Sequence, residues 1–548
     1  SAGFGFPGKK GKYICLAEDS DFLRVPVESV EKVLLDVTQA LEKGEQVGFV
    51  YVASLKDEPR EITKCRNGKT RVFFISPLPL LILQRMFLSP FYTLMVQHAQ
   101  LFCTALGVAM HTDGHLLYER LKAFSPLWME GDYGGYDMQM PFQIGQAASS
   151  VVYQVLKRCG YNESALTIVK GVLNEGLHPH IAMNGDLYTV PALQPSGKYA
   201  TAEDNSLRGL VMLMYAWYSL PPTRDLDFFA HVMPLLYGDD MLASVKSEVS
   251  EHFNNVVYSD FVAQVFGMEF TTAQKSAVSE KFVDPDKASF LKRTWRDHDF
   301  LQRKVAALDP DSIYKMLYWR LPSSMVTESE QSVMTMNSAL WEVALHTDED
   351  SFLRLRDWAK KVLISKWPVL ADSLESDLCT YHQVCARISP ESEHLLKQWN
   401  AELSELKVDF HEFRGMSGAQ IRSLVAYHND HFFRARADEY LSAASRREEL
   451  LSAMSTLQVA RLRDGKPAVR LESEFMMKSG TVSSDHEEKV MNLTDIMGDT
   501  PNHSGLGMST LLAVPSTLQP STFFERPIKI ATLNVPLNGS HKYFLKPW

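Results

Sequence analysis

Residues 235–242 read LLYGDDML. Two neighbouring carboxylates, Asp239 and Asp240, follow a glycine and lie between apolar flanks. The flanks read as strands, so residues 228–246 are expected to form strand–turn–strand around Tyr237–Asp240. Burying adjacent like charges is costly unless a cation or a partner group compensates them. The stretch is therefore either a solvated hairpin tip or the seat of something positive.

A second acidic pair lies upstream. Residues 127–137 read LWMEGDYGGYD, and a short strand at Leu127–Met129 would leave Asp132 and Asp137 near its end. Between the two acidic stretches, Pro195-Ser196-Gly197 opens a loop, and Thr201 and Asn205 follow it. Leu207, Leu210, Val211, Met214 and Trp217 then recur at helical spacing. A helical pattern also runs from Phe142 to Leu156, and another over Asn254–Gln264. Residues 288–296, ASFLKRTWR, read as a further hairpin.

Basic residues concentrate near the start. SAGFGFPGKKGK at residues 1–12 is a glycine-rich basic loop, which lets a backbone approach another chain closely. KDEPREITKCRNGKTR at residues 56–71 carries Lys56, Arg60, Lys64, Arg66, Lys69 and Arg71. Its Arg-Asn-Gly-Lys tip is a hairpin signal, and VFFIS after it reads as a strand. Either a solvated charged hairpin or a basic arm fits. The overall charge of −10 argues against a globally basic nucleic-acid binder and leaves room for a local basic surface.

The six cysteines are scattered with no C-x-x-C pair, so neither a zinc site nor a disulfide framework is indicated, and a reducing setting is expected. The longest apolar run, residues 72–88, is broken by Pro77, Pro79 and Arg85 and is short for a membrane span. Helical patterns dominate from about residue 310 to 460, and Thr-Glu-Ser-Glu at 327–330 resembles a capping box. Near residue 470 the composition turns polar, as in an extended linker or arm. The chain opens at Ser1 without an initiator Met or a signal peptide and stops at HKYFLKPW, which reads as a cut through a longer product.

Taken together and in order, these stretches resemble the RNA-dependent RNA polymerases of picornavirus-like positive-strand RNA viruses. The resemblance covers roughly residues 1–400 and includes seven motifs in the family's order. It implies an α+β right-hand fold: partial fingers at 1–125, a palm with a small antiparallel sheet at 126–295, and a helical thumb at 296–400. A helical region of unknown role would follow at 401–475. The implied activity is nucleotidyl transfer to an RNA 3′-hydroxyl by two-metal catalysis.

On that resemblance Asp132, Asp239 and Asp240 would hold Mg2+, or Mn2+, which favour oxygen ligands. Lys275 in TTAQKS matches the lysine that protonates the pyrophosphate leaving group. Lys56, Lys64 and Arg71 match the basic residues that hold the triphosphate. Asp137 and Asn205, helped by Ser196, Gly197 and Thr201, match the residues that sense the ribose 2′-hydroxyl. Phe290, Leu291, Lys292 and Arg293 match a hairpin gripping the primer strand, and Ser1, Ala2 and Gly3 match the motif that admits the template. The implied partners are template and primer RNA, nucleoside triphosphates, a genome-linked protein primer and other viral replication proteins, in membrane-associated complexes of the host cytoplasm.

Residues 476–548, with HEEKVMNLTDIMGDTP and FFERPIKIATLNVPLNGSHKYFLKPW, resemble the amino-terminal arm of a picorna-like capsid protein. That implies a polyprotein, capsid partners and a virion location for this part, with Gln458–Val459 as a candidate cleavage site. Two rival readings remain: a reverse transcriptase, which also uses a Tyr-x-Asp-Asp hairpin, and a catalytically inert structural precursor.

Overall fold

The computed structural model describes residues 1–17, 24–58, 60, 62–320, 322–346, 349–370, 373–374, 377–406, 411–427 and 431–466. They fall into two compact units. Among the described residues, the first comprises Ser1–Ala109 and Leu116–Trp295, and the second comprises Met110–His115 and those from Arg296 to Lys466. Residues 476–548, read as a capsid arm, lie outside the described residues.

In the first unit, β1 (Ile14–Leu16) and β2 (Arg24–Pro26) form a small ribbon. β3 (Val50–Leu55) and β4 (Val72–Ile75) pair antiparallel, from Val52 opposite Ile75 to Leu55 opposite Val72. The basic segment therefore does leave one strand and rejoin its antiparallel neighbour. Its tip differs from expectation. Arg-Asn-Gly-Lys closes a short helix, Ile62–Arg66, and is not a two-residue hairpin turn. Lys69 N–H donates to the Lys64 carbonyl (2.9 Å) and Gly68 N–H to the Cys65 carbonyl (3.1 Å), with Gly68 at φ +65°. That is the Schellman pattern of a helix end, which uses the same left-handed glycine as a hairpin.

The apolar run after β4 also continues further than expected. It forms a helix, Leu78–Gln97, with Pro77 at its N-cap and Pro79 in the first turn, where neither removes a needed donor. Among the described residues this is the one helix long and apolar enough to cross a membrane; 56% of its most apolar window is packed inside the fold.

The next strands build a central sheet. β5 (Trp128–Tyr133) pairs with β9 (Asp240–Val245), and β9 pairs with β8 (Val232–Tyr237). β6 (His180–Met183) and β7 (Asp186–Thr189) extend the other sheet, whose order is β4-β3-β6-β7. β10 (Phe270–Thr271) completes the central sheet in the order β10-β5-β9-β8, antiparallel throughout. Helices Thr201–Ser219 and Asn255–Phe261 share its core, which includes Met129, Tyr133, Leu213, Trp217, Tyr258 and Phe270. Gly131 is required in β5, because a Cβ there would stand 2.1 Å from the Phe270 ring.

β11 (Ser289–Phe290) and β12 (Arg293–His298) make the expected hairpin. In the second unit, β13 (Arg303–Leu308) precedes a helical array cored by Val333, Leu340, Phe352, Trp399 and Leu457. The capping box at its second long helix, Glu328–His346, forms as read. Thr327 N–H donates to Glu330 (2.7 Å), and Glu330 N–H donates to the Thr327 hydroxyl (3.3 Å). Gln458 and Val459 lie inside the helix His431–Arg463, with Gln458 buried. A protease that reads an extended strand would have to unwind that helix, which counts against this cleavage site.

Candidate active site

Register builds the acidic turn. Tyr237 pairs with Asp240, so Gly238 and Asp239 form a two-residue loop between β8 and β9. Gly238 sits at φ +63° in the first loop position, which suits glycine and strains other residues. Its N–H donates to the hydroxyl of Ser206 (2.9 Å), a fully buried residue on the helix Thr201–Ser219. Thus the turn is fixed from below by the helix that carries Asn205.

β5 brings Asp132 alongside. Gly131 pairs with Met241 on one side, and Asp132 pairs with Thr271 on the other. The turn after Thr271 is closed by Lys275 N–H to the Thr272 carbonyl (2.8 Å) and holds Lys275 at φ +62°. From there the Lys275 ammonium forms an ion pair with Asp132, partly in solvent.

The three carboxylates feel one another. Burial raises Asp240 to about 7, and the charges of Asp239 and Asp132 push the same way. Lys275 and Lys292 oppose that shift. Asp239 is also raised, by burial and then by Asp132, although the residue as a whole is exposed. Among the described residues no group of three or more His, Cys, Asp or Glu side chains forms a metal-holding set.

The sugar-sensing candidates gather on a second wall. Asp137 lies on a one-turn helix, Tyr136–Gln139. The Asn205 amide donates to it at 3.2 Å. Burial raises Asp137, while the Asn205 hydrogen bond and the Arg208 and Lys198 charges pull it down. Ser196 Oγ is buried and has no hydrogen-bond partner. Gly197 meets β4 so closely that a Cβ would stand 2.1 Å from the Phe74 carbonyl. The Thr201 hydroxyl donates to the carbonyls of Ser196 (3.2 Å) and Lys198 (3.1 Å). It closes the loop, and only its lone pairs remain for a ligand.

The basic arm converges on a carboxylate of its own. Arg71 grips Glu58 with two contacts of 2.7 and 2.6 Å, Arg60 adds one of 3.1 Å, and Lys56 stands at 3.5 Å. The Arg71 hydrogen bond holds Glu58 down to about 2. Arg71 is also within electrostatic reach of Asp239. Lys64 projects from the short helix and is exposed.

The β11–β12 hairpin turns through Leu291 (φ +55°) and Lys292 (φ +58°). Non-glycine residues there hold roughly 1–2 kcal/mol of strain each. Phe290 and Arg293 are buried beneath it, whereas Lys292 is exposed. Ser1–Gly3 sit elsewhere in the first unit. Ala2 is buried, its carbonyl accepts from Leu78 N–H (3.0 Å), and Gly3 lies against Ser76 and Pro77.

Sequence reasoning missed Ser206, Glu58 and Glu130. Glu130, two residues before Asp132, is buried in β5, and Ser289 N–H of the hairpin donates to it. It also missed the cluster of Gln194, Lys198, Asp204 and Arg208 behind Asn205. The Asp204–Arg208 spacing of one helical turn was the available signal.

Comparison with known proteins gives the family. A model of viral RNA-dependent RNA polymerase matches residues 1–359. The replicase polyprotein of cricket paralysis virus is 27% identical over 381 residues, covering 66% of this chain and 21% of the relative. The genome polyprotein of Ljunganvirus 1 is 29% identical, covering 57% of this chain and 13% of the relative. This chain thus spans at most about a fifth of these relatives' length. Among solved structures, the Sicinivirus 3Dpol RNA dependent RNA polymerase aligns with TM-score 0.56 at 16% identity, over 69% of this chain and 77% of that one, a likeness of fold.

Proposed function

We propose, because this chain belongs to the viral RNA-dependent RNA polymerase family, that it extends an RNA primer along an RNA template within a viral polyprotein. The observation that carries the reading is the acidic turn. Asp239 and Asp240 are held on a rigid hairpin beside Asp132, with charges that the fold leaves largely uncompensated.

An all-oxygen donor set with mutual repulsion fits Mg2+, or Mn2+ in its place. Asp132 and Asp239 would hold it, with Asp240 beside them, and the bound ions would supply charge stabilisation at the attacking and leaving oxygens. The remaining chemistry falls to the chain. The primer 3′-hydroxyl gives up its proton to solvent as its oxygen bonds to the α-phosphorus, and the bond to pyrophosphate breaks. Lys275 leaves Asp132 and gives a proton to the departing pyrophosphate. Lys56, Lys64 and Arg71 bind the triphosphate, and Arg71 exchanges the Glu58 carboxylate for a phosphate of similar geometry. Asp137, Asn205 and the unpaired Ser196 hydroxyl receive the ribose 2′-hydroxyl. The strained Phe290–Arg293 hairpin supports the primer, and Ser1–Gly3 line the template's path.

In this reading residues 1–125 are partial fingers, 126–295 the palm and 296–400 the thumb. Work in membrane-associated complexes of the host cytoplasm, a genome-linked protein primer and a capsid arm at 476–548 rest on the sequence resemblance alone. Primer extension on an RNA template tests the core of the reading. The 548-residue chain is expected to incorporate ribonucleotides only with a divalent cation, and Asp239→Ala to lose at least about a hundredfold in rate. Extension by that variant at the parent rate would refute the assignment, and a preference for deoxynucleotides would favour a reverse transcriptase.

A further inference from the structure

We propose that Gln194 sets the orientation of the Asn205 amide, and through it the choice of ribose over deoxyribose, with the buried Lys198–Asp204–Arg208 cluster locking Gln194 in place. The proposal rests on the reading of Asp137 and Asn205 as the ribose site.

The problem it addresses is geometric. An asparagine amide keeps its shape when its oxygen and nitrogen exchange places, but its hydrogen-bonding sense inverts. Facing Asp137, only the nitrogen is attractive, and Asn205 presents it there at 3.2 Å. What holds it that way is Gln194. The Gln194 Nε2 donates to Asn205 Oδ1 (2.8 Å), so that oxygen is committed to the rear. The Gln194 amide has the same ambiguity. It is resolved because the same Nε2 also donates to Asp204 Oδ2 (2.7 Å), and an ionised carboxylate only accepts. The Gln194 Oε1 has no partner, so the donor end alone fixes this side chain. Its backbone N–H meanwhile donates to the Asp137 carbonyl (2.9 Å), so Gln194 touches both proposed sensor residues.

Asp204 must stay ionised for this chain of polarity to hold. Burial works against its charge, but Arg208 Nε (2.9 Å) and Lys198 Nζ (2.7 Å) outweigh burial and keep it well below the usual carboxylate range. Asp204, Arg208 and Gln194 are each at most 3% exposed. A buried ionic cluster of this kind is a poor source of stability, since apolar replacements are often as good or better. Its value here is directional: cations fix Asp204, Asp204 fixes Gln194, and Gln194 fixes Asn205. One Asn205 N–H then meets Asp137, and the other remains for a 2′-hydroxyl, which can in turn donate to Asp137.

The test uses Q194M, Q194E, N205A and the double variant Q194M/N205A in the full chain. Primer extension gives kcat/KM for a ribonucleoside triphosphate and its 2′-deoxy counterpart, and thermal melting confirms folding. N205A is expected to lower the ribose preference. Q194M, which removes the amide at similar length, is expected to lower it by about tenfold, the value of one lost orienting hydrogen bond. In the N205A background Q194M should add nothing, because it acts through Asn205. Q194E keeps the shape, but its carboxyl group meets Asp204 at hydrogen-bond distance and the two share a proton. No donor is then left for Asn205 Oδ1, so the preference should fall at least as far. If Q194M fails to fold, Q194E carries the test; failure of both would make Gln194 scaffold alone and overturn the proposal. So would a parent-like preference in both Gln194 variants alongside a loss in N205A, or additive losses in the double variant. An unchanged preference in N205A would instead refute the ribose-site reading itself.

Discussion

Two groups of aspartate stand on adjoining elements of the first unit and are treated in opposite ways. Asp204 is enclosed, and the chain supplies its counter-charges: Lys198 and Arg208 hold it ionised despite burial. Asp239 and Asp240 are more open, yet the chain supplies little to offset them, and burial with mutual repulsion pushes both upward. Lys275 reaches Asp132 and gives only partial relief. A carboxylate the fold neutralises is part of the frame; one it leaves in deficit is poised for a ligand of positive charge. Ser206 joins the two, since it follows Asn205 in the helix and holds Gly238 in the turn.

The largest expected effect breaks the compensated side. Asp204→Ala would leave Lys198 and Arg208 facing each other with only the more distant Asp137 as a counter-charge, at a cost of about 3–5 kcal/mol in urea unfolding. A loss below about 1 kcal/mol would show that the cluster is not balanced as described. Cutting the link comes next. Ser206→Ala leaves the Gly238 N–H without its partner in a buried position, which should cost about 1–3 kcal/mol and reduce extension. Unchanged stability would mean that the turn does not depend on the helix.

The smallest effect is a pH dependence, and its sign separates the two sets. The folded value of Asp240, about 7, lies above its ordinary 3.8. The fold therefore binds its proton more tightly than the unfolded chain does, and stability falls as pH rises through that window. Asp204 has a depressed value, so its contribution is present above the ordinary carboxylate range and is lost as pH falls below it. The difference in melting temperature between Asp240→Asn and the parent should accordingly grow from pH 4 to 7 and then level off. A difference that is flat across this window would place Asp240 in an unperturbed environment.

Local signals in the sequence were read well. The strands around Tyr237–Asp240, the hairpin at 288–296 and the Thr327 capping box depend on neighbours a few residues apart, and each formed as expected. The turn at Asn67–Gly68 misled because one left-handed glycine serves both a hairpin and a helix end. Order along the chain exposed the candidate site, but its supports were hidden. Glu58 sits in plain view inside a basic motif, and nothing local says that three cations fold back onto it. Ser206 and Gly238 are 32 residues apart, and Glu130 and Ser289 are 159 apart. Such partners are chosen by tertiary packing, which periodicity does not encode.

The central claim is that the acidic turn is left in electrostatic deficit for a cation to fill. Thermal melting of the parent and of Asp239→Asn, each with and without Mg2+ at pH 8, tests it most directly. Without the ion the variant should melt above the parent, because a repulsion has been removed. Mg2+ should raise the parent clearly and the variant much less, since binding to the folded state alone adds stability. A variant that melts below the parent without Mg2+, or an equal Mg2+ shift in both proteins, would contradict the account.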